Sequence, residues 1–185
     1  MSTFPPSSQA SPLLERLRAQ IRPLDQPVRR GPGVLAFGAA PIDAHLPESG
    51  LALGALHEIR GGSADAPATL FAAGLLARLE GPVLWCSAVA DLFPPALAGV
   101  GLSPDRVIHA AVGDEKTVLL VMEEGLAQPG LAGVVGEIFR LPMIASRRLA
   151  LAAEKSGVLA LALRRGEEKK IAPIAARTRW RVSPF

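Results

Sequence analysis

The sequence predicts an α/β domain of three layers, a mostly parallel sheet flanked by helices. Three observations predict it. From Val34 onward short apolar segments alternate with helical ones. The short segments are continuously apolar rather than alternating, as in strands covered on both faces. Aromatic residues make up only 4% of the chain, so the core rests on Ala, Leu and Val, which let helices lie close on a sheet. A chain of 185 residues suits one such domain.

Residues 1–12 are rich in Ser and Pro and are expected to be disordered. In "PLLERLRAQI", Leu13, Leu14, Leu17 and Ile21 share a helical face, and "RPLDQPVRRGPG" is a linker by its Pro and Gly content. Residues 1–33 thus form a leader to a core over 34–166, and 167–185 form a basic C-terminal segment. In the core, 54–59 reads as a strand, 68–79 as a helix apolar nearly all round, and 82–87 as a second strand. A third strand is expected over 106–112, then a helix over 114–127 with Asp114 at its start. A fourth strand over 130–138 follows, a helix over 143–156 stopped by Gly157, and a fifth strand over 158–164. In sheets of this kind, ligands meet the loops at the carboxyl ends of the strands.

One such loop is "HEIRGGSADAPAT". A phosphate-binding loop has the form G-x-x-x-x-G-K-[ST] between strand and helix, its lysine reaching the phosphates and its hydroxyl holding Mg²⁺. Laid on this chain, the pattern puts Gly61 at the first glycine, Ala66 at the second, Pro67 at the lysine and Ala68 at the hydroxyl. Three of the four defining positions are wrong. Pro67 has neither ammonium nor backbone N–H, and Ala68 has no metal-binding oxygen. Asp65 places a carboxylate where the helix N-terminus would otherwise favour phosphate. Gly61, Gly62, Asp65, Ala66, Pro67, Ala68 and Thr69 therefore form a degenerate nucleotide loop, with no cofactor and no catalytic residue expected. An NTPase using Arg60 in place of the lysine is the enzymatic alternative.

Composition narrows the classes further. Cys86 is the only cysteine, which excludes an internal disulfide and a multi-cysteine zinc site, and the histidines are scattered. No metal site is expected. No apolar run is long enough for a membrane span, and the N-terminus lacks the pattern of a secretory signal, so a cytoplasmic location is expected. Residues 1–50, 51–163 and 164–185 carry +1, −3 and +5, so the positive charge gathers at the end of the chain.

The stretch "VLAFGAAPIDAHLPESGLALGALHEIRGG" resembles the opening of RecA-like ATPase domains, with Asp43, Gly50, Leu51 and Gly54 as the matching residues. Together with "GPVLWCS", "DEKTVLLVMEEGL", "GVVGEIFRL", "ASRRLALAAEKSGVLALALR" and "ARTRWRV", it resembles the ImuA family, RecA-related proteins of bacterial mutagenesis cassettes. The likeness spans residues 34–182. It implies a RecA-like core and a non-enzymatic adaptor role in translesion synthesis after DNA damage. The implied partners are an ImuB-like polymerase-related protein, RecA, and, indirectly, an error-prone DNA polymerase. ImuA proteins commonly continue past the point matching "RWRVSPF", and partner binding carried by such an extension would be missing here. The alternative within the same superfamily is a cell-division inhibitor resembling SulA. Such ATPases also need an acid after the fourth strand; Gly136 stands at the expected position, with Glu137 beside it.

The candidate contacts to DNA or a partner are Arg147, Arg148, Arg164, Arg165, Lys169, Lys170, Arg177, Arg179 and Arg181. In "ARTRWRV" the alternation puts Arg177, Arg179 and Arg181 on one strand face and Thr178, Trp180 and Val182 on the other, which favours a core contact for Trp180 over base stacking. Were all seven basic residues of 164–185 to meet duplex phosphates, log affinity against log salt would slope by about −6 in a salt titration. A flat dependence excludes DNA binding by this segment.

Overall fold

The computed structural model describes residues 33–61, 65–128, 130–166 and 172–183. The helix and linker expected within residues 1–32, together with Gly62, Lys169 and Lys170, lie outside the described residues.

Among the described residues, eight strands and five α-helices follow one another: β1 (Val34–Leu35), α1 (Ala40–Asp43), β2 (Leu51–Ala52), β3 (Leu56–Gly61), α2 (Ala66–Ala77), β4 (Val83–Ser87), α3 (Pro94–Gly99), β5 (Val107–Ala111), α4 (Glu115–Ala127), β6 (Gly133–Ile138), α5 (Met143–Ser156), β7 (Leu159–Arg164) and β8 (Thr178–Val182). Six strands form one sheet in the order β5-β4-β6-β7-β3-β8, and every pairing in it is parallel. β1 and β2 form a separate antiparallel ladder, Val34 opposite Ala52 and Leu35 opposite Leu51.

The two sheet faces carry different helices. Ile59, Val83, Trp85, Val135 and Leu161 pack with residues of α2 and α3, whereas Leu56, Cys86, Val134, Ala160 and Ala162 pack with residues of α4 and α5. This is the three-layer α/β core. Every residue of β6 and β7 is buried, which accounts for their apolar runs up to Gly136 and Leu163. The chain leaves β4 toward the α3 face and leaves β6 toward the α5 face, and in sheets of this kind the carboxyl ends of two such strands are where ligands meet the sheet.

Local chemistry sets the boundaries. Asp114 caps α4, its carboxylate accepting from the Thr117 N–H at 3.0 Å. Gly157 ends α5 in the left-handed region at φ +76° and donates its N–H to the Ala153 carbonyl at 2.8 Å. Gly54, at φ +62°, presses against the same turn: a Cβ there would stand 3.1 Å from the Gly157 Cα. The β1–β2 ladder, α1 and α3 are the elements that sequence periodicity misses. Each is two to six residues long, too short to display a period.

The outer strand β8 is fastened to β3 from one face. Phe37, Phe71 and Trp180 form an aromatic trio with ring centroids 5.0–5.8 Å apart. Beside it, the buried His57 ring bonds the Thr178 hydroxyl through Nδ1 and the Ala52 carbonyl through Nε2, both at 2.8 Å. A neutral ring with its hydrogen on Nε2 satisfies both contacts. Burial lowers the pKa of His57 to about 4; the bond to Ala52 opposes that shift, and the charge of Arg177 adds to it.

The unfolded chain protonates His57 near 6.5, so its contribution to stability is complete above that pH and is lost as pH falls toward 4. The stability difference between wild type and His57→Gln, from urea unfolding, should therefore shrink by roughly 3 kcal/mol between pH 7.5 and pH 4. A difference independent of pH contradicts a neutral buried ring.

Candidate functional site at the carboxyl end of the sheet

β3 delivers the degenerate loop to the carboxyl edge, and α2 starts directly after it. Asp65 precedes the helix, and its backbone carbonyl accepts from the Thr69 N–H at 3.1 Å and from the Thr69 hydroxyl at 3.3 Å. Its carboxylate makes no capping bond to the helix amides. It accepts instead from the Gly166 N–H at 3.2 Å and stands 3.8 Å from the guanidinium of Arg165. Ala66 and Pro67 form the first helical turn, where a missing N–H costs nothing. Ala68 is fully buried in the α2 core, so the position that would carry a metal-binding hydroxyl faces packed side chains.

The same reversal applies at the end of β6. Gly136, where an ATPase would place its acid, faces α4: a Cβ there would lie 1.9 Å from the Met122 sulfur. No side chain fits without displacing Met122. Glu137, one residue on, faces the α2 side and is 6% exposed. Its Oε1 accepts from the Trp85 indole N–H at 2.6 Å, and its Oε2 accepts from Arg165 Nε at 2.9 Å, with Arg165 Nη2 on the same oxygen.

Arg165 is therefore the centre of the site. It follows β7, donates its backbone N–H to the Ile138 carbonyl at 3.0 Å, and turns its guanidinium inward among Glu137, Asp65 and Asp91, the last at 3.7 Å. Burial disfavours its charge, but the hydrogen bond and charge of Glu137, with Asp91 and Asp65, outweigh that and raise its pKa above the ordinary arginine value. Among the described residues, one guanidinium meets three carboxylates here. Among the described residues, no group of three or more His, Cys, Asp or Glu side chains is arranged to hold a metal ion.

The opposite face of the sheet carries a second charged cluster. Glu58 is fully buried in β3, with Arg60 at 3.0 Å, Arg164 at 3.2 Å and Arg179 at 3.4 Å. Arg164 is thus corrected as a surface contact: it is 3% exposed, and its Nε also donates to the Phe139 carbonyl at 3.0 Å. Arg165 is corrected likewise, because its guanidinium is turned into the carboxylate cluster. Arg177, just before β8, and Arg179 and Arg181 on it are exposed, with Arg179 also donating to the Ala172 carbonyl at 2.8 Å. With Arg164 and Arg165 withdrawn, the ceiling on the salt slope of the segment falls to about −4.5. Arg147 and Arg148 lie far along the chain, exposed on α5, with Arg148 paired to Glu123 of α4 at 3.0 Å. The structure does not gather the seven described candidates among these basic residues into one site.

Sequence reasoning missed Asp91, Trp85 and Glu58 as members of these clusters. A signal was present for the acids: Glu58 in "LHEI" and Glu137 in "GVVGEI" are isolated carboxylates in buried strands, and each requires a partner.

Comparison with known proteins fits this geometry. Protein ImuA of Caulobacter vibrioides strain NA1000 / CB15N is 36% identical over 167 residues, covering 82% of this chain and 68% of that protein. The chain belongs to the ImuA family. Protein ImuA of the strain ATCC 19089 / CIP 103742 / CB 15 gives the same identity and coverage. No protein-family profile matches the chain. Among solved structures, SulA from Pseudomonas aeruginosa superposes with a TM-score of 0.52 at 21% identity, covering 60% of this chain and 98% of SulA. That likeness concerns the fold. This ImuA-family chain therefore has a SulA-like fold, and among its described residues no helix is long and apolar enough to cross a membrane.

Removing the central cation leaves Glu137 buried beside Trp85 without its ion pair. Arg165→Ala should lower stability by about 2–4 kcal/mol in urea unfolding, and adding Glu137→Gln should recover at least half of the loss. Additive losses in the double variant contradict the coupling.

Proposed function

We propose that this chain is a non-enzymatic RecA-like adaptor in SOS-linked, damage-induced mutagenesis, assembling with ImuB and an error-prone DNA polymerase for translesion synthesis. The observation that carries the reading is Arg165, held by Glu137, Asp65 and Asp91 at the carboxyl end of the sheet, where a nucleotide would sit. A fold kept with its ligand position filled by its own side chain serves through its surfaces. Membership of the ImuA family supports ImuB as the first partner and RecA as a second. The ion-pair cluster around Arg165 speaks against the NTPase alternative, and the replacement of the lysine by Pro67 speaks against it again. The reading places the protein in the cytoplasm, where that machinery works. Direct contact with DNA is secondary to protein contact, because three of the tail's arginines, Arg164, Arg165 and Arg179, are committed to internal ion pairs.

Two measurements test it. On size exclusion at physiological salt without nucleotide, the chain should co-elute with its cognate ImuB; separate peaks from two folded proteins contradict the adaptor role. In a thermal melt, saturating Mg-ATP should leave Tm unchanged, whereas ligand at a hundredfold excess over Kd would raise it by roughly 5–10 °C.

A further inference from the structure

α5 buries Ser146, Leu149 and Ala153, yet its opposite side is not uniformly polar. Ile144 and Leu151 are 77% and 65% exposed there. Seven residues apart, they stand about 10.5 Å apart along the axis and within about 20° of one line. Arg147 and Arg148 fall about 60° to one side of Ile144 and about 40° to the other, so they flank that line. Lys155 continues the stripe one turn beyond Leu151, and Glu154 lies about 80° off it. Arg147 has no ion pair among the described residues, while Arg148 bonds Glu123 of α4. Leu120, 46% exposed, is one turn before Glu123 on that helix.

We propose that this face of α5 docks an acidic amphipathic helix of a partner protein, with two apolar side chains against Ile144 and Leu151 and carboxylates against Arg147 and Arg148. The proposal deepens the adaptor reading and rests on it. Charge complementarity selects the occupant. A second copy related by a two-fold axis would bring arginines against arginines. A nucleic acid gains nothing from the apolar line and meets Glu123 and Glu154 beside its phosphates. A helix offers apolar side chains at the same seven-residue spacing and carboxylates on both flanks.

The test uses the full chain and a fluorescein-labelled helical peptide of about 18 residues, with Leu at positions i, i+4 and i+7 and Glu on both flanks, against the same peptide with Lys for Glu. Fluorescence anisotropy at physiological salt should show the Glu peptide binding at least about tenfold more tightly. The double variant Ile144→Ser, Leu151→Ser should weaken it roughly tenfold or more, and Arg147→Glu should weaken it while admitting the Lys peptide. These positions are exposed, and circular dichroism melts verify the fold of each variant.

Equal binding of both peptides, or binding that the variants leave intact, overturns the proposal. A self-association that the Ser double variant dissolves overturns it in favour of a second copy. A single-stranded oligonucleotide bound more tightly than the peptide and lost in Arg147→Glu overturns it in favour of nucleic acid. If ImuB co-elutes equally with wild type and the double variant, the docking proposal fails and the adaptor reading stands. If the Glu peptide binds as expected but wild type fails to hold ImuB, the adaptor reading fails and the α5 face stands as an acidic-helix site.

Discussion

The pairing of Glu137 with Arg165 is the constraint around which the carboxyl end of the sheet is built. A carboxylate that closes a strand inside a parallel sheet has little water to solvate it, so it must find a cation or lose its charge. The guanidinium supplies that cation, and the Trp85 indole supplies a donor to the other oxygen. Because Arg165 also reaches Asp65 and Asp91, one side chain ties together the ends of β6 and β7, the entry to α2 and the connection after β4. Where other α/β sheets meet a ligand, this chain holds an ion-pair cluster of its own side chains.

A similar solution operates on the other face. Glu58 lies in an apolar strand, and three guanidiniums converge on it from β3, β7 and β8. Buried ion pairs of this kind add little net stability but penalise misregistered strands, because a one-residue slip of β8 would carry Arg179 to the opposite face. The aromatic trio and His57 fix the same edge from the α2 side. Both faces of the β3–β8 edge are therefore specified by directional contacts, while the β5 edge leaves Ile108 54% exposed.

These charges also divide the surface by role. The positive charge of the last part of the chain suggests an anion-facing tail, but three of its arginines pair with internal carboxylates. What stays outside is the arginine row of β8 and the mixed apolar and basic face of α5. The second is the more informative, since exposed Ile and Leu on a helix are costly to leave in water without a partner.

The sequence by itself determined the layer architecture, the five principal strands, the helices over α2, α4 and α5, and that Pro67 and Ala68 stand where a phosphate loop carries its lysine and hydroxyl. Those properties follow from hydrophobic continuity, from Gly157 and Asp114 at helix ends, and from the chemistry of Pro67 and Ala68, all of which act within a few residues. Only the tertiary structure decided which way Gly136 and Glu137 face, that Arg164 and Arg165 turn inward, and that Asp91 joins Asp65. Those contacts link residues 25 to 106 positions apart. A pattern along one strand gives the alternation of its faces but not which helix covers each, and a charge is read as solvated until the fold shows what lies beneath it.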